Sequence, residues 1–226
     1  MRLFLAALAL IAAPALAAPD PRDAQELAAC LAKTEADAAG AYEDALRWSA
    51  RGGAIPARHC AAVAMVAMGD VETGAERLAA LADAPDAGDD EARALLLSKA
   101  ANAWLILRNA ERARAALDAA ILKLPEDPDL RIDRARAAGL MGDWVGAEAD
   151  LTAALAARPR DLEALVLRAE ARIQRARVSE AELYVNAALQ IDPRNVEVLV
   201  MRGRVREARR LGRAPLRRCR LRASLT

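Results

Sequence analysis

Three prolines stand 34 residues apart in the second half of the chain, at Pro125, Pro159 and Pro193. A fixed period of this length indicates a repeat architecture, in which each unit buries its apolar face only by stacking on its neighbours. Four further columns keep the same register, three of alanine and one of large aliphatic residues: Ala101, Ala135 and Ala169; Ala113, Ala147 and Ala181; Ala120, Ala154 and Ala188; and Ile121, Leu155 and Leu189.

Each column has a physical reason in a pair of antiparallel helices. Alanine favours helix and lets two helices approach closely, and the chain holds 60 alanines but only six aromatic residues. Proline cannot continue the helical hydrogen-bond ladder, so it closes the second helix of each unit. In the middle unit Gly142 and Asp143 predict the turn between the helices. Trp144 then begins the second helix and is expected to pack on the preceding turn.

This pattern resembles the tetratricopeptide repeat, which has small residues at positions 8, 20 and 27 and proline at position 32. The resemblance covers units 94–127, 128–161 and 162–195 and a partial unit 196–211. It implies an all-α fold, an α-α superhelix of antiparallel helix pairs. Arg134, at position 7 where the family usually has leucine, is expected to pair with an acid such as Asp150.

Residues 18–91 are less regular and are predicted to form an N-terminal helical cap containing a degenerate unit of the same kind. Helices are expected over residues 23–33 and 36–50 and again over 57–68, with a polar acidic connector at 84–92. The chain as a whole is also similar to secreted alphaproteobacterial repeat proteins, on the layout of Cys30, Gly52-Gly53 and His59-Cys60. That similarity implies location and fold.

The first 17 residues are typical of a secretory signal peptide. Arg2 supplies a positive start, an apolar run follows, and Ala15-Leu16-Ala17 forms a small-residue cleavage site. No later segment has about 20 consecutive apolar residues, so no integral membrane span is expected. The sequence therefore predicts an exported protein of the periplasm.

Export would place the cysteines in an oxidising compartment. Cys30 ends the first predicted helix and Cys60 begins the third, so antiparallel packing of three helices can bring them together. We predict a Cys30–Cys60 disulfide, with two buried free thiols as the alternative.

Catalysis finds little support in the sequence. His59 is the single histidine, which excludes a multi-histidine metal site, and no nucleophile elbow or phosphate-binding glycine loop is present. Adjacent helical residues point about 100° apart, which argues against His59 and Cys60 acting as a pair. We therefore predict no catalytic residues, no metal and no cofactor.

A superhelical array binds partners in its concave groove, which the resemblance assigns to positions 2, 5, 9, 12 and 13 of each first helix. Position 9 is expected to supply polar contacts and position 5 apolar ones. The alternative is that the charges only keep the array soluble. The predicted partner-binding residues are Ser98, Asn102, Ile132, Arg136, Val166, Glu170, Val200 and Arg204.

These residues predict a scaffold for an unidentified protein or peptide, with a role in cell-envelope assembly as one possibility. Their mixed charge argues against nucleic acid, which requires a continuous basic track. A module that binds peptidoglycan or another glycan is the alternative. It would need exposed aromatic side chains, and the chain offers only Trp48, Trp104 and Trp144 among its tryptophans.

The repeat pattern is lost after Gly212. Residues 201–226 hold ten arginines against one acid, Glu207. Residues 212–226 are therefore expected to form a basic irregular tail. Either it is a truncated or frame-shifted end, or it is an arm for acidic lipids or partners.

Overall fold

The structure, a computed structural model, describes the backbone of residues 21–223 and the side chains of residues 22–212. All regular elements of the described chain are helices. The predicted signal peptide, residues 1–17, lies outside the described residues. The helices are α1 (Pro21–Thr34), α2 (Ala38–Ala50), α3 (Ala54–Ala67), α4 (Val71–Ala82), α5 (Asp90–Ile106), α6 (Ala110–Lys123), α7 (Pro128–Leu140), α8 (Trp144–Ala157), α9 (Leu162–Gln174), α10 (Val178–Ile191) and α11 (Val196–Ala223).

The helices stack as successive antiparallel pairs. The odd-numbered helices, which we call inner helices, each contact the next inner helix along the array from α1 to α11. The even-numbered outer helices contact the inner helices before and after them. This arrangement confirms the predicted α-α superhelix, with the inner helices lining one side.

The turns between inner and outer helices share one backbone geometry. In the middle unit Gly142 has φ +77°, and the Asp143 N–H donates to the Ala138 carbonyl, which is the Schellman way of ending a helix. Arg108 and Ala176 occupy the same place with φ +56° and +59°, so two residues with side chains adopt the left-handed conformation that favours glycine. The repeat geometry therefore overrides local preference at these two turns.

The next helix usually begins on an acidic or amide cap. Asp143 illustrates this, since its carboxylate accepts a hydrogen bond from the Gly146 N–H at 2.9 Å. Pro125, Pro159 and Pro193 each follow the residue that caps the end of an outer helix, as predicted. Side-chain caps of this kind are made by Asp37, Asp89, Asn109, Asp127, Asp143 and Asp161.

The alanine columns lie where the helices of a pair cross. All nine alanines of the three columns are buried, and seven of them have no exposed surface. Leu117, Leu151 and Val185 pack beside them as the large residues of successive outer helices. The core therefore runs along the array between inner and outer helices, and alanine sets how closely they approach.

Arg134 forms the predicted ion pair. Its guanidinium donates to both carboxylate oxygens of the buried Asp150, at 2.8 and 2.6 Å, and to Asp118 at 2.8 Å. Arg168, one unit further on, instead lies over the ring of Tyr184 at 4.6 Å from its centroid. Position 7 therefore accepts arginine because the facing outer helix supplies an acid or an aromatic ring.

A disulfide links the first and third helices. The Cα atoms of Cys30 and Cys60 are 6.1 Å apart and their sulfur atoms are bonded, as predicted. The bond joins α1 to α3, and α2 packs against both as the return path. The two ends of the N-terminal helical layer are thereby tied covalently.

The end of the array differs from the sequence-based expectation. The backbone of α11 continues as helix through Ala223, so residues 212–223 are not irregular. Arginine, leucine and alanine are strong helix formers and dominate this segment. Within the described residues, none of the helices has the length and apolar character needed to cross a bilayer.

Candidate functional site

The inner helices α5, α7 and α9, together with the outer helix α8, line a cavity of about 520 Å³. Leucines from three consecutive inner helices supply its apolar part, and Trp144 closes it from the start of α8. Charged side chains surround this apolar part. We call the cavity and its charged edge the inner groove, and its lining includes Leu105, Arg108, Arg136, Leu140, Trp144, Leu167 and Glu170.

The predicted packing of Trp144 explains one wall of the inner groove. Trp144 is the first residue of α8, and its ring lies against Gly139 in the last turn of α7. A Cβ atom at Gly139 would meet the ring at 3.1 Å, so a side chain there would push the indole away. The glycine therefore lets the Trp144 ring approach α7 closely beside the cavity.

The predicted polar residues of the inner helices pair with acids of neighbouring units. Asn102 donates to Asp133 at 3.1 Å, and Arg136 forms ion pairs with both Asp133 and Glu163. These contacts link α5, α7 and α9 in one chain of hydrogen bonds. Position 9 therefore holds successive units together as well as facing the inner groove.

A second ionic link follows toward the C-terminal end. Arg204 of α11 donates to Glu170 of α9 at 2.7 Å, and Gln174 donates to the same carboxylate at 2.7 Å. All four residues predicted at position 9 thus have a partner within the protein. Because these charges are already paired within the protein, they attract a charged group of a binding partner only weakly, whatever its sign.

Burial shifts the pKa of two carboxyl groups in this network. Burial raises the pKa of Asp133 above its ordinary value, although Arg136 and Asn102 act in the opposite direction. Burial also raises the pKa of Glu163, against the opposing charge of Arg136. The network therefore contains two acids that are more costly to ionise than exposed ones.

The predicted apolar contacts at position 5 are placed differently from the expectation. Ile132 and Val166 are only 3 % and 2 % exposed and pack in the core, so they are not offered to a partner. Close contact between consecutive inner helices covers these side chains. Ser98 is half-buried, and Val200 is exposed at 58 % because α11 has no following inner helix among the described residues.

The apolar part of the inner groove comes from residues that the sequence analysis did not single out. Leu105 and Leu140 occupy positions 12 and 13, and Glu163 occupies position 2, all of which the resemblance assigns to the groove. The same columns could therefore have identified them. Asp133 and Leu167 lie at position 6, outside those columns.

The aromatic side chains give little support to glycan stacking. Trp48 and Trp104 are 5 % and 4 % exposed, and Trp104 is further covered by the Arg112 guanidinium at 4.5 Å from its ring centroid. Stacking on a sugar requires an exposed ring face. Among the tryptophans of the described residues, only Trp144 is partly open.

The single histidine is buried beside the disulfide. His59 is 4 % exposed, its Nε2 has no hydrogen-bond partner, and Cys60 next to it is in the disulfide. Burial lowers the pKa of His59 to about 4, and the positive charge of Lys99 adds to the effect. A neutral imidazole beside an oxidised cysteine is not a nucleophile pair.

Comparison with known proteins identifies the architecture. A family model described as tetratricopeptide repeat matches residues 140–199. Among proteins of curated function, none matches the chain.

Solved structures match a larger part of the chain. A thermophilic TPR protein of Thermus thermophilus, TTC0263, is 22% identical over 82% of this chain and 98% of its own, with a TM-score of 0.58. MamA of strain AMB-1 is 20% identical over 79% of this chain and 97% of its own, also at 0.58. The TPR domain of Arabidopsis OM64 is 25% identical over 53% of this chain and 98% of its own, at 0.50. These likenesses agree with the repeat fold derived above.

Proposed function

We propose that this tetratricopeptide-repeat chain is an exported scaffold that binds another protein or a peptide in its inner groove, with a role in cell-envelope assembly. Tetratricopeptide repeats are in general scaffolds for protein–protein interaction, and they use the concave surface of the stack. The observation that carries the proposal is the 520 Å³ cavity, where the exposed Leu140 and the half-buried Leu105 and Leu167 lie between charged side chains.

The lining of the inner groove favours one kind of contact. An apolar side chain of the partner fills the space between Leu105, Leu140 and Leu167, which removes apolar surface from water. Arg108 lies at the edge of this space, and its guanidinium has no hydrogen-bond or ion-pair partner among residues 22–212. We therefore expect an acidic group of the partner near the apolar side chain, since Arg108 is the charge left free to meet it.

Rigid helices hold these groups at fixed spacing. An extended peptide or a helix can then bind with little reorganisation of the scaffold, which reduces the entropic cost of association. The paired charges at position 9 give the inner groove no continuous basic track. Nucleic acid is therefore a poor fit.

Export is supported by two separate features. Residues 1–17 have the composition of a signal peptide, and Cys30 and Cys60 form a disulfide of the kind that persists in oxidising compartments. Mass spectrometry of the protein from a periplasmic fraction tests this point. We expect an N-terminus at Ala18 and a mass two hydrogens lower than that of the reduced chain.

Site-specific photocrosslinking in cells tests the binding face. A photoreactive residue at Leu140, which is 40% exposed in the inner groove, should capture the partner. The matched control is Leu183 on outer helix α10, which is 66% exposed and lies outside the groove. Mass spectrometry of the crosslinked product then identifies what was captured.

A pair of substitutions gives the decisive comparison. Leu140→Arg places a charge in the apolar part of the groove and should reduce capture of the identified partner at least tenfold. Leu183→Arg makes the same chemical change on an outer helix and should leave capture unchanged. Equal capture by both variants, with helicity and unfolding unchanged, would show that the inner groove is not the binding face.

A further inference from the structure

A second cavity, of about 310 Å³, lies at the opposite side of the array from the inner groove, among the N-terminal helices. It is bounded by outer helices α2 and α4 and by the first half of α3. The two outer helices do not pack on each other, because the array bends toward its inner helices and spreads the outer ones. We call this space the outer cavity.

Six of the nine residues that line the outer cavity are apolar. Four alanines and two leucines line it, and Leu81 and the alanines of α2 and α3 are buried. Leu46 stands at the mouth and is 47% exposed. An exposed leucine beside a buried alanine wall marks apolar surface that a ligand could remove from water.

The polar side chains of the outer cavity carry one sign of charge. They are Ser49, Arg58 and Arg77, and no aspartate or glutamate lines the cavity. The Arg77 guanidinium has no hydrogen-bond or ion-pair partner among residues 22–212. Arg58 reaches only Asp86, at 3.5 Å, and the Ala54 carbonyl, at 3.4 Å. Both distances are at the outer limit for a hydrogen bond, so both guanidinium groups retain donors.

We propose that the outer cavity binds the carboxylate of a medium-chain acyl compound, with the hydrocarbon chain against the alanines and the head between Arg58 and Arg77. Guanidinium groups bind carboxylates through two parallel hydrogen bonds. A share of about 30 Å³ for each water-sized group gives room for roughly ten such groups. The volume therefore fits a chain of about eight to ten carbons.

The lining favours a hydrocarbon chain over a peptide. Each peptide residue inserted into the cavity would bring one N–H and one C=O group that need hydrogen bonds. Ser49 is the one neutral side chain of the lining that could supply them. A hydrocarbon chain has no such requirement, and its single charged end meets the two arginines.

Calorimetric titration of the oxidised protein with octanoate tests the proposal, with 1-octanol as the uncharged probe of the same length. We expect octanoate to bind at least tenfold more tightly than octanol. Arg77→Gln should weaken octanoate binding about tenfold and leave the unfolding midpoint unchanged, since the exposed Arg77 guanidinium makes no hydrogen bond or ion pair with residues 22–212 in the free protein. Ala80→Leu, which fills part of the cavity from an exposed position, should weaken both probes.

Arg160→Gln is the matched control, because Arg160 is an exposed arginine without a partner among the described residues and lies far along the chain, between α8 and α9. It should bind octanoate as the unaltered protein does. The proposal would be overturned if octanoate and octanol bound with equal affinity, or if the Arg77 and Arg160 variants lost octanoate affinity equally. A short peptide with a free C-terminal leucine that binds more tightly than octanoate would also overturn it, since a protein chain end would then be the better occupant.

Discussion

His59 makes the stability of the protein depend on pH in a window where few other groups titrate. Its pKa is about 4 in the folded chain, because burial disfavours the charged imidazole, against an ordinary value of 6.5. The unfolded chain therefore binds a proton between these values that the folded chain does not. Above pH 6.5 both states are neutral and His59 contributes nothing. As the pH falls toward 4, the folded state loses stability.

The magnitude follows from the two pKa values. Each unit of pKa difference between the folded and unfolded chain corresponds to about 1.4 kcal/mol, so at pH 5 the free energy of unfolding is lower by about 2 kcal/mol. It approaches about 3 kcal/mol near pH 4. The two buried acids change the stability in the opposite direction. Because the pKa values of Asp133 and Glu163 are raised in the folded chain, their protonation at falling pH stabilises the folded state.

Two measurements check the prediction. The imidazole proton signals of the single histidine should show no titration above about pH 5. Between pH 7.5 and pH 5, urea unfolding of the unaltered protein should show a fall of about 2 kcal/mol in the free energy of unfolding. The fall should be much smaller in His59→Leu, because this variant lacks the titrating group. An NMR midpoint near 6.5, or the same loss in both proteins, would refute the reasoning.

Four further variants probe features of the fold. Both Gly142 and Ala176 have positive φ, a conformation that favours glycine. In chemical unfolding Gly142→Ala should therefore lower the free energy of unfolding by about 1 kcal/mol, and Ala176→Gly should raise it by about 0.5–1 kcal/mol. A change of the same sign in both variants would contradict this reasoning. Replacing Cys30 and Cys60 together by alanine should cost about 3–4 kcal/mol in urea unfolding, since the disulfide closes a long loop, and no loss would mean that the bond does not constrain the unfolded chain. Asp150→Asn should cost about 2 kcal/mol, measured the same way, because Arg134 loses a charged hydrogen-bond partner, and a neutral result would mean that Asp118 alone satisfies it.

Sequence reasoning succeeded where one residue type determines one local geometry. Proline after each outer helix cannot continue its hydrogen-bond ladder, and alanine at three positions lets the helices cross closely, so the helix pairs of the array could be derived. The pairing of Arg134 with Asp150 also followed, because both side chains project from facing helices of one unit.

The candidate site was harder to derive because it depends on how consecutive units meet. Ile132 and Val166 occupy a position assigned to the groove, yet contact between inner helices buries them. Asp133 becomes the partner of Asn102 and Arg136 only because α5 and α7 lie side by side. These relations depend on the stacking distance, which no column of the repeat encodes.

The Cys30–Cys60 disulfide makes the two ends of the array unequal, because only the N-terminal end is held by a covalent bond between helices. In a stack whose units contact only their neighbours, an end unit is held by one interface and is the first to open. The covalent bond between α1 and α3 closes that route at the N-terminal end, whereas α11 has no following helix among the described residues. Among the described helices we therefore expect opening to begin at α11 rather than at α1. On this order the inner groove would lose α9 before α5, and the outer cavity between α2 and α4 would open after both.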